Sequence, residues 1–118
     1  MKTLVLGASP NISRFSNKAV ILLDSYGHEV IPVGIRKGNI NGIDIIKGKP
    51  EINDINTVTL YVGPEKQKDY YDYILSLNPK RIIFNPGTEN NDFIDLANKN
   101  NIETIENCTL VMLNSNKY

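Results

Sequence analysis

The chain has no tryptophan, one cysteine and one histidine, and its 13 basic and 13 acidic residues cancel. Each scarcity excludes something. A lone cysteine, Cys108, cannot form a disulfide within the chain and fits a reducing compartment. A net charge of zero offers no basic field to attract nucleic acid. No apolar run reaches the roughly 18 residues that a membrane span requires. Met1 and Lys2 lead straight into a strand pattern, without the layout of a signal peptide. No group of His, Cys, Asp and Glu has metal-ligand spacing. The expectation is one cytoplasmic domain, residues 1–118, with neither nucleic acid nor membrane as partner.

One further absence is local. The stretch TLVLGASPNISRFSNKAVILL opens like a nucleotide-binding fold: an apolar run, Leu4 to Leu6, meets Gly7 and a short polar turn, then a helical pattern. The dinucleotide fingerprint expects another glycine two residues after the first, and this chain has Ser9.

Beyond this turn the chain alternates helix and strand. Phe15, Ala19, Leu22, Leu23 and Tyr26 recur at helical spacing, with Ser13 as the expected N-cap and Gly27 as the stop. His28 to Val33 reads as a second strand, and Ile43 to Ile46 as a short extended piece in a loop-rich segment. Thr57 to Val62 is a third long strand. Gly63-Pro64 then starts a helix whose inner face carries Tyr70, Tyr73, Ile74 and Leu77. Arg81 to Asn85 is a strand, and the next helix turns Phe93, Leu96 and Ala97 inward. Ile102 to Ile105 is the fifth strand; the tail CTLVML fits a short helix or an edge strand. The alternation predicts an α/β, three-layer, Rossmann-like domain, with a mostly parallel five-stranded sheet and helices on both faces.

In such sheets ligands bind at the carboxyl ends of the strands, near the switch in strand order. Three strand-to-helix turns therefore matter: Gly7 to Ser16, Val62-Gly63-Pro64, and Asn85-Pro86-Gly87. Each offers backbone N–H groups and the positive end of a helix dipole. Ser9, Asn11, Ser13 and Ser16 add neutral polar groups to the first. The bland alternative is that these turns only cap helices.

The second strand is more informative. A NAD site wants a carboxylate at its end, yet Pro32, Val33 and Gly34 are followed by Arg36 and Lys37. That basic pair suits a phosphorylated ribose, as carried by NADP at the 2′ position or by coenzyme A at the 3′ position; otherwise it is a solvated loop. Catalytic candidates are few. His28 lies at the opposite end of its strand, Cys108 reads as a small buried hydrophobe, and Tyr61, Tyr70, Tyr71 and Tyr73 read as core or rim. Asp92 and Asp95 fall on a solvated helix face, so no acid–base pair emerges.

Taken together and in order, these segments resemble the CoA-binding domain family, small stand-alone bacterial proteins related to the N-terminal domain of the succinyl-CoA synthetase α subunit. The resemblance runs from about residue 3 to residue 113. It rests on Gly7-Ala8-Ser9 with Pro10, Asn11, Arg14 and Ser16, on Val30 to Val33, and on Lys37-Gly38. Tyr61-Val62-Gly63-Pro64, Asn85-Pro86-Gly87 and Asn107-Cys108 complete it. It implies coenzyme A or an acyl-CoA across the carboxyl edge, its pyrophosphate on the first turn and its 3′-phosphate facing Lys37 and Arg36. The turns at Val62 to Pro64 and Asn85-Pro86 would flank the adenosine or pantetheine. The chain departs from the family pattern at Gly34-Ile35-Arg36, where relatives carry asparagine-proline, and at Asn85-Pro86, which lacks a carboxylate or glutamine. The synthetase's ATP-grasp partner and second domain have no counterpart in these residues, so the expectation is binding rather than ligase chemistry. Two alternatives stand beside it: an NADP-binding oxidoreductase domain, and a partner-binding domain that holds no nucleotide.

Overall fold

The computed structural model describes residues 1–118. Strand β1 (Thr3–Leu6) leads into helix α1 (Phe15–Ser25), then β2 (Val30–Val33) and a small antiparallel hairpin, β3 (Asn39–Ile40) and β4 (Ile43–Asp44). Strand β5 (Thr57–Leu60) is followed by α2 (Pro64–Gln67), a 3₁₀ turn (Lys68–Tyr70) and α3 (Tyr71–Leu77). The chain closes with β6 (Arg81–Phe84), α4 (Asn91–Lys99), β7 (Glu103–Glu106) and α5 (Thr109–Asn114).

The main sheet has the order β2-β1-β5-β6-β7 and every neighbouring pair is parallel. Helices α3 and α4 supply Tyr73, Ile74, Phe93 and Ala97 to one face, against Leu4, Leu6, Val58, Leu60, Ile82 and Phe84. Helices α1 and α5 cover the other, where Val20, Leu23 and Leu113 meet Val5 and Val30. The Rossmann-like three-layer architecture read from the sequence is the one present. After β1 the chain moves to β2 on one side, then returns to place β5 on the other. The strand order therefore switches between β1 and β5, and a crevice opens at their carboxyl ends.

Several local expectations are corrected. The buried stripe of α1 is Ser16, Asn17, Ala19, Val20 and Leu23, which leaves Phe15 and Tyr26 exposed. Ser13 is not the N-cap. Arg14 holds that position and no side chain caps the helix, because the Ser13 hydroxyl and amide both donate to Asn11 Oδ1, at 2.6 and 3.0 Å. The long helix expected after Pro64 breaks at Gln67. That residue is fully buried, and its amide donates to the carbonyls of Val62 (2.9 Å) and Thr88 (2.7 Å), which draws the chain into the 3₁₀ turn. Ile102 ends α4 through its N–H to the Ala97 carbonyl, so the fifth main strand starts at Glu103. The extended piece at Ile43 to Ile46 contributes β4 and a parallel bridge from Ile46 to Val33 at the sheet edge. The tail is helical, and Cys108 before it is half-buried and free rather than a core residue.

Candidate functional site

The crevice is built by two turns locked together. Gly7 and Ala8 both donate backbone N–H bonds to the Val33 carbonyl, at 2.8 and 2.9 Å. Gly7 has φ +95°, and a methyl group there would sit 2.9 Å from the Tyr61 carbonyl oxygen. At Gly34 it would sit 2.1 Å from the Ala8 carbonyl oxygen. The glycines this fold needs thus serve the contact between its own turns. Ser9 occupies the place of the missing one and organises the first turn from within. Its hydroxyl accepts from the Asn11 N–H (3.1 Å), and its carbonyl accepts from the buried Asn17 side chain (2.9 Å).

The resulting cleft has a volume of about 520 Å³. The first turn and α1 contribute Gly7, Ala8, Ser9, Pro10, Asn11, Arg14, Phe15 and Ser16. The turn after β2 adds Val33, Gly34, Ile35 and Arg36; Tyr61, Val62, Lys66 and Tyr70 close the far wall. Ser13, Pro32, Lys37, Gly63, Pro64, Asn85 and Pro86 lie outside this lining. Pro32 is buried in β2 and Lys37 is exposed beside the cleft. Asn85, expected to flank a ligand, is instead buried and turned inward. Its side chain donates to Thr59 Oγ1 (2.6 Å) and the Leu60 carbonyl (2.9 Å) and accepts from the Thr109 N–H (2.8 Å). The reason is position: β6 lies one strand beyond the switch point, so its turn is beside the crevice rather than over it.

Lys66, Tyr70, Phe15 and Ile35 join the site although the sequence pattern does not single them out for it. A signal for Lys66 exists, since Pro64 at the first helical position sets residue 66 in the opening turn, at the carboxyl edge. The break at Gln67, which turns Tyr70 toward the cleft, has no periodic signature.

Electrostatically the cleft is one-sided. Arg14, Arg36 and Lys66 line it, no carboxylate does, and none of the three takes part in an ion pair. In a chain of zero net charge this is a local concentration of positive potential. The amide N–H groups of Phe15, Ser16 and Asn17, in the first turn of α1, find no protein acceptor. An uncapped first turn of an eleven-residue helix carries partial positive charge, and two of these residues line the cleft. Burial pushes the Tyr61 phenol well above its ordinary range, and its hydroxyl is buried without a hydrogen bond although Thr59 and Thr109 are near. Those two hydroxyls bond each other instead, at 2.7 Å.

Fold and cleft together define a doubly wound α/β domain with a cationic crevice at its switch point. The chain belongs to the family described as the CoA binding domain, which it matches over residues 1–114. It is 50% identical to an uncharacterized protein of known crystal structure, with a TM-score of 0.97, the match covering 99% of this chain and 97% of that one. A hypothetical protein from Pyrococcus horikoshii OT3 shares the fold at 23% identity and a TM-score of 0.86, covering 98% of this chain and 82% of that one. So does a conserved hypothetical protein from Pyrococcus furiosus, at 24% identity and 0.81, covering 93% and 97%. No functionally curated protein matches the sequence.

Proposed function

We propose that the crevice binds coenzyme A or an acyl-CoA as a carrier, sensing or regulatory module. The observation that carries this reading is the pairing of three unpartnered cations with an uncapped helix N-terminus, in a lining free of carboxylates. A diphosphate there accepts from the free amides of Phe15 and Ser16, groups that otherwise lack partners. Arg14 and Lys66 flank it. Arg36, with Lys37 next to it, faces the 3′-phosphate and Pro32-Val33 backs the nucleotide end. Gly63 and Pro64 border the far wall, and Asn85-Pro86 is left to the scaffold. The lining holds no His, Cys, Asp or Glu, so none of these serves there as acid, base or nucleophile.

The test is a thermal-shift and calorimetric titration with CoA, dephospho-CoA, NADP and NAD. Ligand at 100 times its dissociation constant adds about 2.7 kcal/mol of stability, several degrees for a domain of this size. The expected order is CoA above dephospho-CoA, with NADP and NAD inert. Arg36→Glu should weaken CoA about tenfold, the value of one charge-assisted hydrogen bond. Stabilisation by NADP in place of CoA would move the protein to the oxidoreductase class. No shift with any of the four would leave the fold as a partner-binding scaffold.

A further inference from the structure

We propose that Tyr61 is a ligand-gated side chain. Without ligand its hydroxyl is folded behind the crevice wall; on binding it turns into the crevice and donates to an oxygen of the ligand's diphosphate. This rests on the coenzyme A reading above and adds a residue that senses the ligand's acceptor as well as its charge.

Two buried side-chain polar atoms of the chain have no hydrogen-bond partner, the Tyr61 hydroxyl and Asn17 Oδ1. Both stand near the switch point. Tyr61 follows β5 and lines the crevice, and Asn17 lies in the first turn of α1, holding the Ser9 carbonyl from behind. Unpaired buried polar atoms are rare in folded proteins, and each has a cause. At Tyr61 the two ends of the side chain are in conflict. The ring packs against the apolar cluster that contains Val20 and Leu113, and this burial takes the hydroxyl out of solvent with it. The two hydroxyls near it, Thr59 and Thr109, bond each other at 2.7 Å, and Asn85 also donates to Thr59 at 2.6 Å.

The backbone of Tyr61 is pinned. Its N–H donates to the Leu6 carbonyl at 2.8 Å, and its carbonyl oxygen is set against Gly7. Motion is left to the side chain, beside a cleft of about 520 Å³. The lining has no carboxylate, so an anionic acceptor arrives only with the ligand. Lys66, on the same wall, flanks the diphosphate in the reading above. The inward rotamer keeps ring burial and leaves its donor unpaired; the outward one gives up burial and gains a charge-assisted hydrogen bond. A ligand that offers its acceptor to the outward rotamer alone shifts the population toward it.

Tyr61→Phe keeps the ring and removes the donor. In urea denaturation without ligand it should be at least as stable as the parent chain, because the lost hydroxyl had no partner. In calorimetry it should bind CoA about tenfold more weakly, the value of one hydrogen bond to a charged group. Tyr73→Phe is the matched control. That phenol already donates to the Pro50 carbonyl, at 2.5 Å and outside the cleft lining, so its loss should lower stability and leave CoA affinity unchanged. Carbon-13 labelling of the six tyrosines at Cζ, with Tyr61 assigned by its loss in the variant, should show that resonance moving when CoA is added. A Tyr61→Phe protein less stable than the parent would show the hydroxyl bonded in the folded state and overturn the inference. So would unchanged CoA affinity, an equal loss of affinity in both variants, or a Tyr61 resonance that CoA leaves in place. All of these would leave CoA binding by the parent chain intact. Absence of that binding would remove the underlying reading and the inference with it.

Discussion

Both faces of the central sheet carry an apolar cluster, thirteen buried residues on one and eight on the other, but at β5 and β6 the second face is polar where the first is not. Strand β5 states the contrast in four residues, Thr57-Val58-Thr59-Leu60, all buried. Val58 and Leu60 join an apolar cluster with Leu4, Leu6, Ile82, Phe84 and Phe93, where packing is the organising force. Thr57 and Thr59 point the other way, into a buried polar layer. There Arg81 Nε donates to Thr57 Oγ1 at 2.8 Å and its guanidinium lies 4.5 Å from the centre of the Tyr118 ring. The Tyr118 hydroxyl pairs with Thr3, while Asn85 ties Thr59 to the start of α5. A buried polar group costs stability unless it is bonded, so this face specifies where the last helix docks, and the apolar face supplies the larger share of stability.

That division can be broken by experiment. Phe93 is fully buried, stacked on Tyr71 with ring centres 4.4 Å apart and edge-on to Phe84 at 5.9 Å. Phe93→Ala should cost about 3–5 kcal/mol in urea denaturation, the largest effect expected of a single change here. Asn85→Ala should cost about 1–3 kcal/mol, because the Thr109 N–H loses its only acceptor in a buried setting. It should also speed hydrogen exchange at Thr109 and leave CoA affinity unchanged, Asn85 being outside the cleft lining. A larger loss from Asn85→Ala than from Phe93→Ala would reverse the ranking of the two faces.

The smallest effect is one of pH. Burial raises the phenol of Tyr118 above its ordinary value of 10.0, more than its bond to Thr3 and the charge of Arg81 lower it; burial raises Tyr61 further. A phenol whose folded pKa exceeds its unfolded one contributes no change below pH 10. Above that the unfolded chain releases its proton first, and stability falls as pH rises toward the folded value. Denaturation between neutral pH and pH ~11 should show this decline, with a shallower slope in Tyr118→Phe. An unchanged slope in that variant would place the alkaline loss elsewhere.

The same contrast is partly visible in the sequence. The apolar runs of β1, β5 and β6 and the breakers around them place the strands within a residue or two, and Gly7 marks the first turn correctly. Arg14 and Arg36 stand out because they follow strands at the edge where such folds bind ligands. The hidden features depend on long-range pairing. Asn85 ends a strand just as Ser9 follows one, and only the order of strands in space separates a cleft residue from a core bracket. Gln67 is a helix former by propensity, yet its buried bonds to Val62 and Thr88 break the helix and carry Lys66 and Tyr70 to the crevice. Phe15 matches the helical repeat of an inward residue; the buried polar pair Ser16-Asn17 takes that side instead.

The clearance at Gly34 bears on how this protein can be re-tooled. With 2.1 Å between a hypothetical methyl and the Ala8 carbonyl oxygen, even alanine there must push the β2 turn off the first turn and distort the floor of the cleft. A library meant to change ligand preference should therefore leave positions 7 and 34 fixed and draw its diversity from the walls. Phe15, Ile35, Arg36 and Lys66 are exposed, and side chains of any size can be exchanged there without disturbing the backbone they stand on.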